Sequence, residues 1–149
     1  SERRSEEFKN LSQKFIKFLD VDEVIAHLLV TEGFSSIGEI SMVTPSDLAS
    51  IEGFDDELST ELISRAKTYL EKEKASNLSI LKKEGMDDYL LSSDFFTMDQ
   101  LMVLNEKNIK TRDQLADLSS FELMEFLNDI DNKKADEVII ESRKHWFEK

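Results

Sequence analysis

The sequence predicts an all-α protein built from two small helical domains in tandem. Three observations predict it. The 149 residues include only 4 Gly and 1 Pro, too few breakers for a turn-rich β fold. Apolar residues recur at helical spacings, as in Phe8, Leu11, Phe15, Phe18 and Leu19. A pattern of helix caps, stops and apolar positions repeats at an interval of about 75 residues.

Residues 1–18 carry the first apolar stripe and read as a lead-in helix that packs on whatever precedes or follows it. The first repeat, 19–72, predicts helices near 21–32, 36–43, 45–51 and 55–71. Gly33 suits a left-handed position after the first of these. Ser36 with Glu39 reads as a capping box, Thr44 with Asp47 as a box-like pair, and Pro45 stands where a first helical residue lacks nothing by having no N–H. Glu71-Lys72-Glu73-Lys74-Ala75-Ser76-Asn77 has almost no apolar spacing, so a flexible linker is expected across 73–86. The second repeat, 87–149, predicts helices near 86–92, 97–107, 111–118, 120–127 and 132–147. Asn108 takes the place of Gly33, and Thr111 with Gln114 and Ser119 with Glu122 repeat the boxes. Ile51, Phe54, Asp55, Leu62 and Ile63 match Leu127, Ile130, Asp131, Val138 and Ile139 at one residue more, which places an insertion near Ser119-Ser120. Units of this size lie near the lower limit for a lone core, so modest stability is expected of each.

Leu48-Ala49-Ser50-Ile51-Glu52-Gly53-Phe54-Asp55 forms a helix-hairpin-helix pattern. Ile51 anchors the first helix end, Gly53 permits a positive φ, Phe54 plugs the core and Asp55 can cap the next helix. Leu127-Asn128-Asp129-Ile130-Asp131 is a degraded copy. Both units therefore read as helix-hairpin-helix-type, SAM-like small domains. Hairpins that bind nucleic acid carry a second Gly and hold a phosphate on bare N–H groups. Here Asp55 replaces that Gly, and Asp56 and Glu57 follow, so three carboxylates repel the phosphate. Asp129 and Asp131 do the same in the copy, softened by Lys133 and Lys134.

The formal net charge is −13. It is concentrated: residues 19–70 hold eleven acids and two bases, whereas residues 1–18 hold three acids and five bases. The absence of Cys excludes disulfides, thiolate metal sites and a Cys nucleophile, and fits a cytoplasmic protein. No apolar run is long enough to span a membrane, and the charged start is not a secretory signal. A chain that begins without Met reads as a piece of something longer. No phosphate-loop or dinucleotide fingerprint occurs. The acid pairs Asp55/Asp56, Asp87/Asp88 and Asp129/Asp131 fall at helix starts, where carboxylates complement the helix dipole, so neither an enzyme nor a cofactor is expected. Asp129-Ile130-Asp131-Asn132 echoes a calcium loop but lacks its central Gly and distal Glu, so no metal is expected. His27 reads as a partly buried or surface histidine, Phe95-Phe96 as core, and Trp146 as the counterpart of Leu70, closing the last helix onto its bundle. The alternative for Trp146 is a docking aromatic. Lys107, Lys110 and Arg112 read as a solvated helix end.

At Leu19-Asp20-Val21-Asp22-Glu23, Leu28 to Ser35, Ile51-Glu52-Gly53-Phe54-Asp55 and Trp146-Phe147 the sequence resembles the C-terminal acidic repeats of the NusA family of bacterial transcription elongation and termination factors. The match runs over about residues 15–149 and is stronger in the first repeat. The resemblance implies a non-catalytic docking module. Its implied partners are the C-terminal domain of the RNA polymerase α subunit, the factor's own RNA-binding KH domains, whose RNA surface it would mask, and a phage-type antitermination protein. Direct nucleic-acid binding by the hairpins is the alternative. The candidate docking groups are Asp55, Asp56, Glu57, Asp129, Asp131 and the aromatic Trp146.

Overall fold

The computed structural model describes residues 2–148. Among them every regular element is helical: ten α-helices and one 3₁₀ turn, with no strand. The chain forms two compact units, divided between Glu73 and Lys74.

The first unit holds α1 (Glu2–Leu19), α2 (Glu23–Thr31), α3 (Ile37–Met42), α4 (Pro45–Ala49) and the start of α5 (Asp56–Lys83). The second holds the end of α5, then α6 (Asp88–Leu91), α7 (Met98–Glu106), α8 (Arg112–Ala116), α9 (Ser120–Phe126), α10 (Asn132–Arg143) and the 3₁₀ turn Lys144–Phe147. The internal repeat is visible in both starts and burial. α2, α3 and α4 begin 75 residues before α7, α8 and α9. Leu29, Ile40, Leu48 and Leu62 are fully buried, as are Leu104, Leu115 and Leu123, with Val138 1% exposed.

Local chemistry sets the helix ends. Asp22, Ser36, Thr44, Asp87 and Asp131 each accept a backbone N–H three residues on. Thr97/Gln100, Thr111/Gln114 and Ser119/Glu122 are complete capping boxes. The expected Ser36/Glu39 box is half formed. Glu39 turns instead to the Ser35 N–H at 2.9 Å and the Ser35 hydroxyl at 2.6 Å, which holds its carboxyl below the usual range. Three helices stop the same way. Gly33, Gly85 and Asn108 take φ of +100°, +104° and +63°. The next residue, Phe34, Met86 or Ile109, then donates its N–H back to Leu29, Leu81 or Leu104.

Four expectations need correction. The lead-in helix is part of the first unit: Phe15 and Leu19 of α1 are fully buried with Leu29 and Ile40. Phe15 stands 75 residues before fully buried Leu90, so the repeat reaches back into α1. The residues read as a linker are helical as far as Lys83. Neither Gly nor Pro occurs between Gly53 and Gly85, so nothing halts α5, and Leu78 and Leu81 give its last turns an apolar contact. The inserted residue lies inside α9, after Leu123, because the offset of 75 persists through the α9 start. Ile51 donates to Leu48 three residues back, whereas Leu127 donates to Leu123 four residues back, and this change absorbs the extra residue. Lastly, Trp146 does not close the bundle: it lies in the 3₁₀ turn and is 45% exposed.

The hairpin turn between α4 and α5 depends on Gly53, at φ +93°. A Cβ there would meet nothing within 4 Å, so its cost is conformational alone. Gly53→Ala is expected to lower the stability of the first unit by about 1–2 kcal/mol, read by urea unfolding. An unchanged midpoint would show that the turn relaxes to another conformation.

Candidate docking face

Between residues 20 and 64 the chain has eleven Asp or Glu and no Lys or Arg. All eleven carboxylates lie on exposed residues. Two of them meet a basic side chain: Glu61 pairs with Arg65 at 3.0 Å, and Glu23 lies 3.7 Å from His27. The acids spread over α2, α3, α4 and the first turns of α5, and their like charge has no internal compensation beyond those contacts.

The hairpin residues are arranged as their roles require. Ile51 and Phe54 are 6% and 7% exposed and pack in the first core, and the Phe54 N–H donates to the Ile51 carbonyl at 3.0 Å. Asp55 accepts the Leu58 N–H at 2.7 Å and so caps α5. Asp56 and Glu57 follow in the first turn, exposed, with no side-chain partner among the described residues. One carboxylate of the three is therefore engaged as a cap, and two face solvent beside it.

The second turn is looser. Leu127 and Ile130 are buried, but the Ile130 N–H reaches the Leu127 carbonyl at 3.4 Å. Asn128 and Asp129 are exposed and adopt no positive φ. Asp131 caps α10 through the Lys134 N–H at 2.8 Å. A cleft of about 330 Å³ beside it brings Asp94, Phe95, Lys133, Lys134 and Glu137 together, so opposite charges mix there. The two turns share a path but not an electrostatic character. Of Phe95 and Phe96, the second is buried and the first is partly buried against its ring edge, 6.4 Å away at 75°.

The basic residues read as a solvated helix end are engaged inside the second unit. Arg112 Nε donates to the Ser142 carbonyl at 3.1 Å, Nη2 donates to Glu141 at 3.3 Å, and the guanidinium lies 4.4 Å above the Tyr89 ring. Lys110 Nζ donates to the Glu84 carbonyl at 2.9 Å, and Lys107 lies over Phe126. Arg143 donates to Ala116 and Leu118. Arg65 serves the first unit in the same way, holding the Leu19 and Asp20 carbonyls at 3.1 and 2.9 Å where Asp20 takes φ +54°. Sequence reasoning missed these clamps because their acceptors are backbone carbonyls, which carry no residue identity. Trp146 donates its indole N–H to Asp113 at 2.8 Å, and Phe147 beside it is 80% exposed. Phe8 and His27 lie in tilted contact at 5.1 Å, so His27 is a partly exposed packing residue. Among the described residues no helix is long and apolar enough to cross a membrane.

No family model matches the chain. Two curated relatives do: the transcription termination/antitermination proteins NusA of Rickettsia prowazekii and Rickettsia conorii. Each is 34% identical over 119 residues, or 80% of this chain. The chain spans about a quarter of the length of these relatives, 24% of each. The resemblance carried by the acidic repeats thus extends over most of the chain, whose sequence is that expected of a NusA C-terminal region.

Proposed function

We propose that the chain is a non-catalytic docking module of a transcription termination/antitermination factor, and that its first unit docks by charge on a basic protein surface. The observation that carries this reading is the run of eleven exposed carboxylates with no Lys or Arg between residues 20 and 64. Such a face attracts cationic surfaces from beyond contact range and repels phosphate backbones. Both consequences follow from one charge. A face that binds the basic RNA-binding surface of the same factor competes there with RNA. The partners that fit are the C-terminal domain of the polymerase α subunit, the factor's own KH domains and a basic antitermination peptide. Asp56 and Glu57 are the first contacts, because Asp55 is held as the cap of α5. Asp129 and Asp131 make a weaker counterpart beside Lys133 and Lys134, and Trp146 is an aromatic candidate in the same unit.

A helix-hairpin-helix module that binds nucleic acid directly is the second reading, favoured by the Gly53 turn and its buried Ile51 and Phe54. The carboxylates of Asp55, Asp56 and Glu57 at the turn oppose it. One experiment separates the readings. Isotope-labelled chain is titrated with the α C-terminal domain, with the KH fragment and with single-stranded RNA. Docking predicts amide shifts within residues 20–64 for at least one protein, and none for RNA. The double charge reversal D56K/E57K is expected to weaken binding by about tenfold or more at physiological salt. Silence with both proteins would defeat the docking reading. RNA-induced shifts that vanish with added salt would establish the alternative.

A further inference from the structure

The last turn of the chain is fastened by one side chain. Asp113 Oδ1, at the start of α8, accepts the Trp146 indole N–H at 2.8 Å and contacts His145 Nε2 at 2.5 Å. The donors come from consecutive residues of a 3₁₀ turn that has no side-chain cap of its own. Their rings lie 5.9 Å apart. None of the turn's residues is buried, so little apolar packing holds it. His145 Nδ1 is buried and has no partner. A neutral imidazole with hydrogen on Nε2 satisfies the contact without burying an unpaired N–H. The contact to Asp113 therefore does not require a charged histidine.

We propose that Asp113 is a catch for the C-terminal aromatic turn: its ionised carboxylate holds Trp146 and His145 against α8, and protonation of that carboxylate releases them with Phe147.

The surrounding charges leave the catch to Asp113 alone. Arg112, its neighbour on α8, and Arg143 of α10 are turned onto backbone carbonyls. Lys144 pairs with Glu141 of α10 at 2.7 Å. Asp87, just before α6, accepts the Arg112 backbone N–H. The Trp146 hydrogen bond first, and the His145 hydrogen bond second, hold the Asp113 carboxyl below the usual aspartate range. A carboxyl lowered by folding stabilises the closed form at pH values above its unfolded value. That stabilisation disappears as pH falls through the lowered value. Raising the pH through the histidine range leaves the catch closed, because Nε2–H still donates.

The test uses the full chain, in which Trp146 is the sole tryptophan. Asp113→Ala is expected to shift the indole N–H resonance to the position of solvated tryptophan, move the emission to longer wavelength and increase acrylamide quenching. Asp117→Ala, one turn further along, is expected to leave all three unchanged. Core amides of Leu104 and Leu115 report whether each variant remains folded. In the wild type the indole resonance is expected to move in acid, below the ordinary aspartate range, before those amides move. An indole signal indifferent to Asp113→Ala would overturn the proposal. So would an indole shift that follows the histidine range, or one that appears only as the core amides collapse.

Discussion

Phe15→Ala lowers the stability of the first unit by about 3–5 kcal/mol, the range for truncating a buried aromatic side chain. Phe15 is fully buried, and it joins α1 to Leu29 and Ile40 of the first core. Its counterpart in the repeat, Leu90, is buried to the same degree. A unit of this size has a total stability on the order of 4–10 kcal/mol, so the substitution takes much or all of it. Phe8→Ala is the control. Phe8 is half-buried near the outer end of the same helix, and its truncation costs about 1 kcal/mol or less. Urea unfolding followed by far-ultraviolet circular dichroism and by amide spectra distinguishes the outcomes. Loss of the residue 8–66 signals in Phe15→Ala shows α1 to be structural. Retention of those signals would make α1 the appendage that the sequence pattern alone suggests.

Arg112→Ala lowers the stability of the second unit by about 2–4 kcal/mol. Two charge-assisted hydrogen bonds to the Ser142 and Glu141 carbonyls are lost, together with the contact on the Tyr89 ring. The two carbonyls lie at the end of α10, where no further turn of α-helix supplies donors. Arg112→Lys does not restore the stability, because one ammonium lacks the planar fork that reaches two acceptors and covers a ring. Trp146 emission in urea reads the effect, since Trp146 belongs to this unit. Lys107→Ala, which removes one exposed cation over Phe126, shifts the midpoint by less than about 1 kcal/mol. Equal effects at Arg112 and Lys107 would show that charge alone matters there.

The parts of the fold legible in the sequence are those decided within a few residues. A Ser, Thr or Asp oxygen reaches an N–H three positions on, so the caps at Ser36, Thr44, Asp55, Thr111, Ser119 and Asp131 could be read directly. Gly33, Gly53 and Asn108 announced their positive φ because few other residues take it. The apolar spacing announced both cores, and the run of carboxylates announced the acidic face, since burying them unpaired would be prohibitive.

Tertiary structure decided what depends on partners distant in sequence. The stretch from 73 to 83 has the composition of a linker, yet it continues α5, because no breaker intervenes and Leu81 reaches a core built from residues that follow it. Phe15 belongs to the first core only because α1 folds against α2. Arg65, Arg112 and Arg143 act on carbonyls 25 to 46 residues away. Trp146 has the composition of a core residue and the spacing of one. Its indole is placed instead by Asp113, a carboxylate 33 residues earlier. Local hydrogen bonding and apolar periodicity are properties of short segments, and the sequence by itself determines them. Which charged or aromatic side chain finds which acceptor is a property of the packed chain, and only the packing decides it.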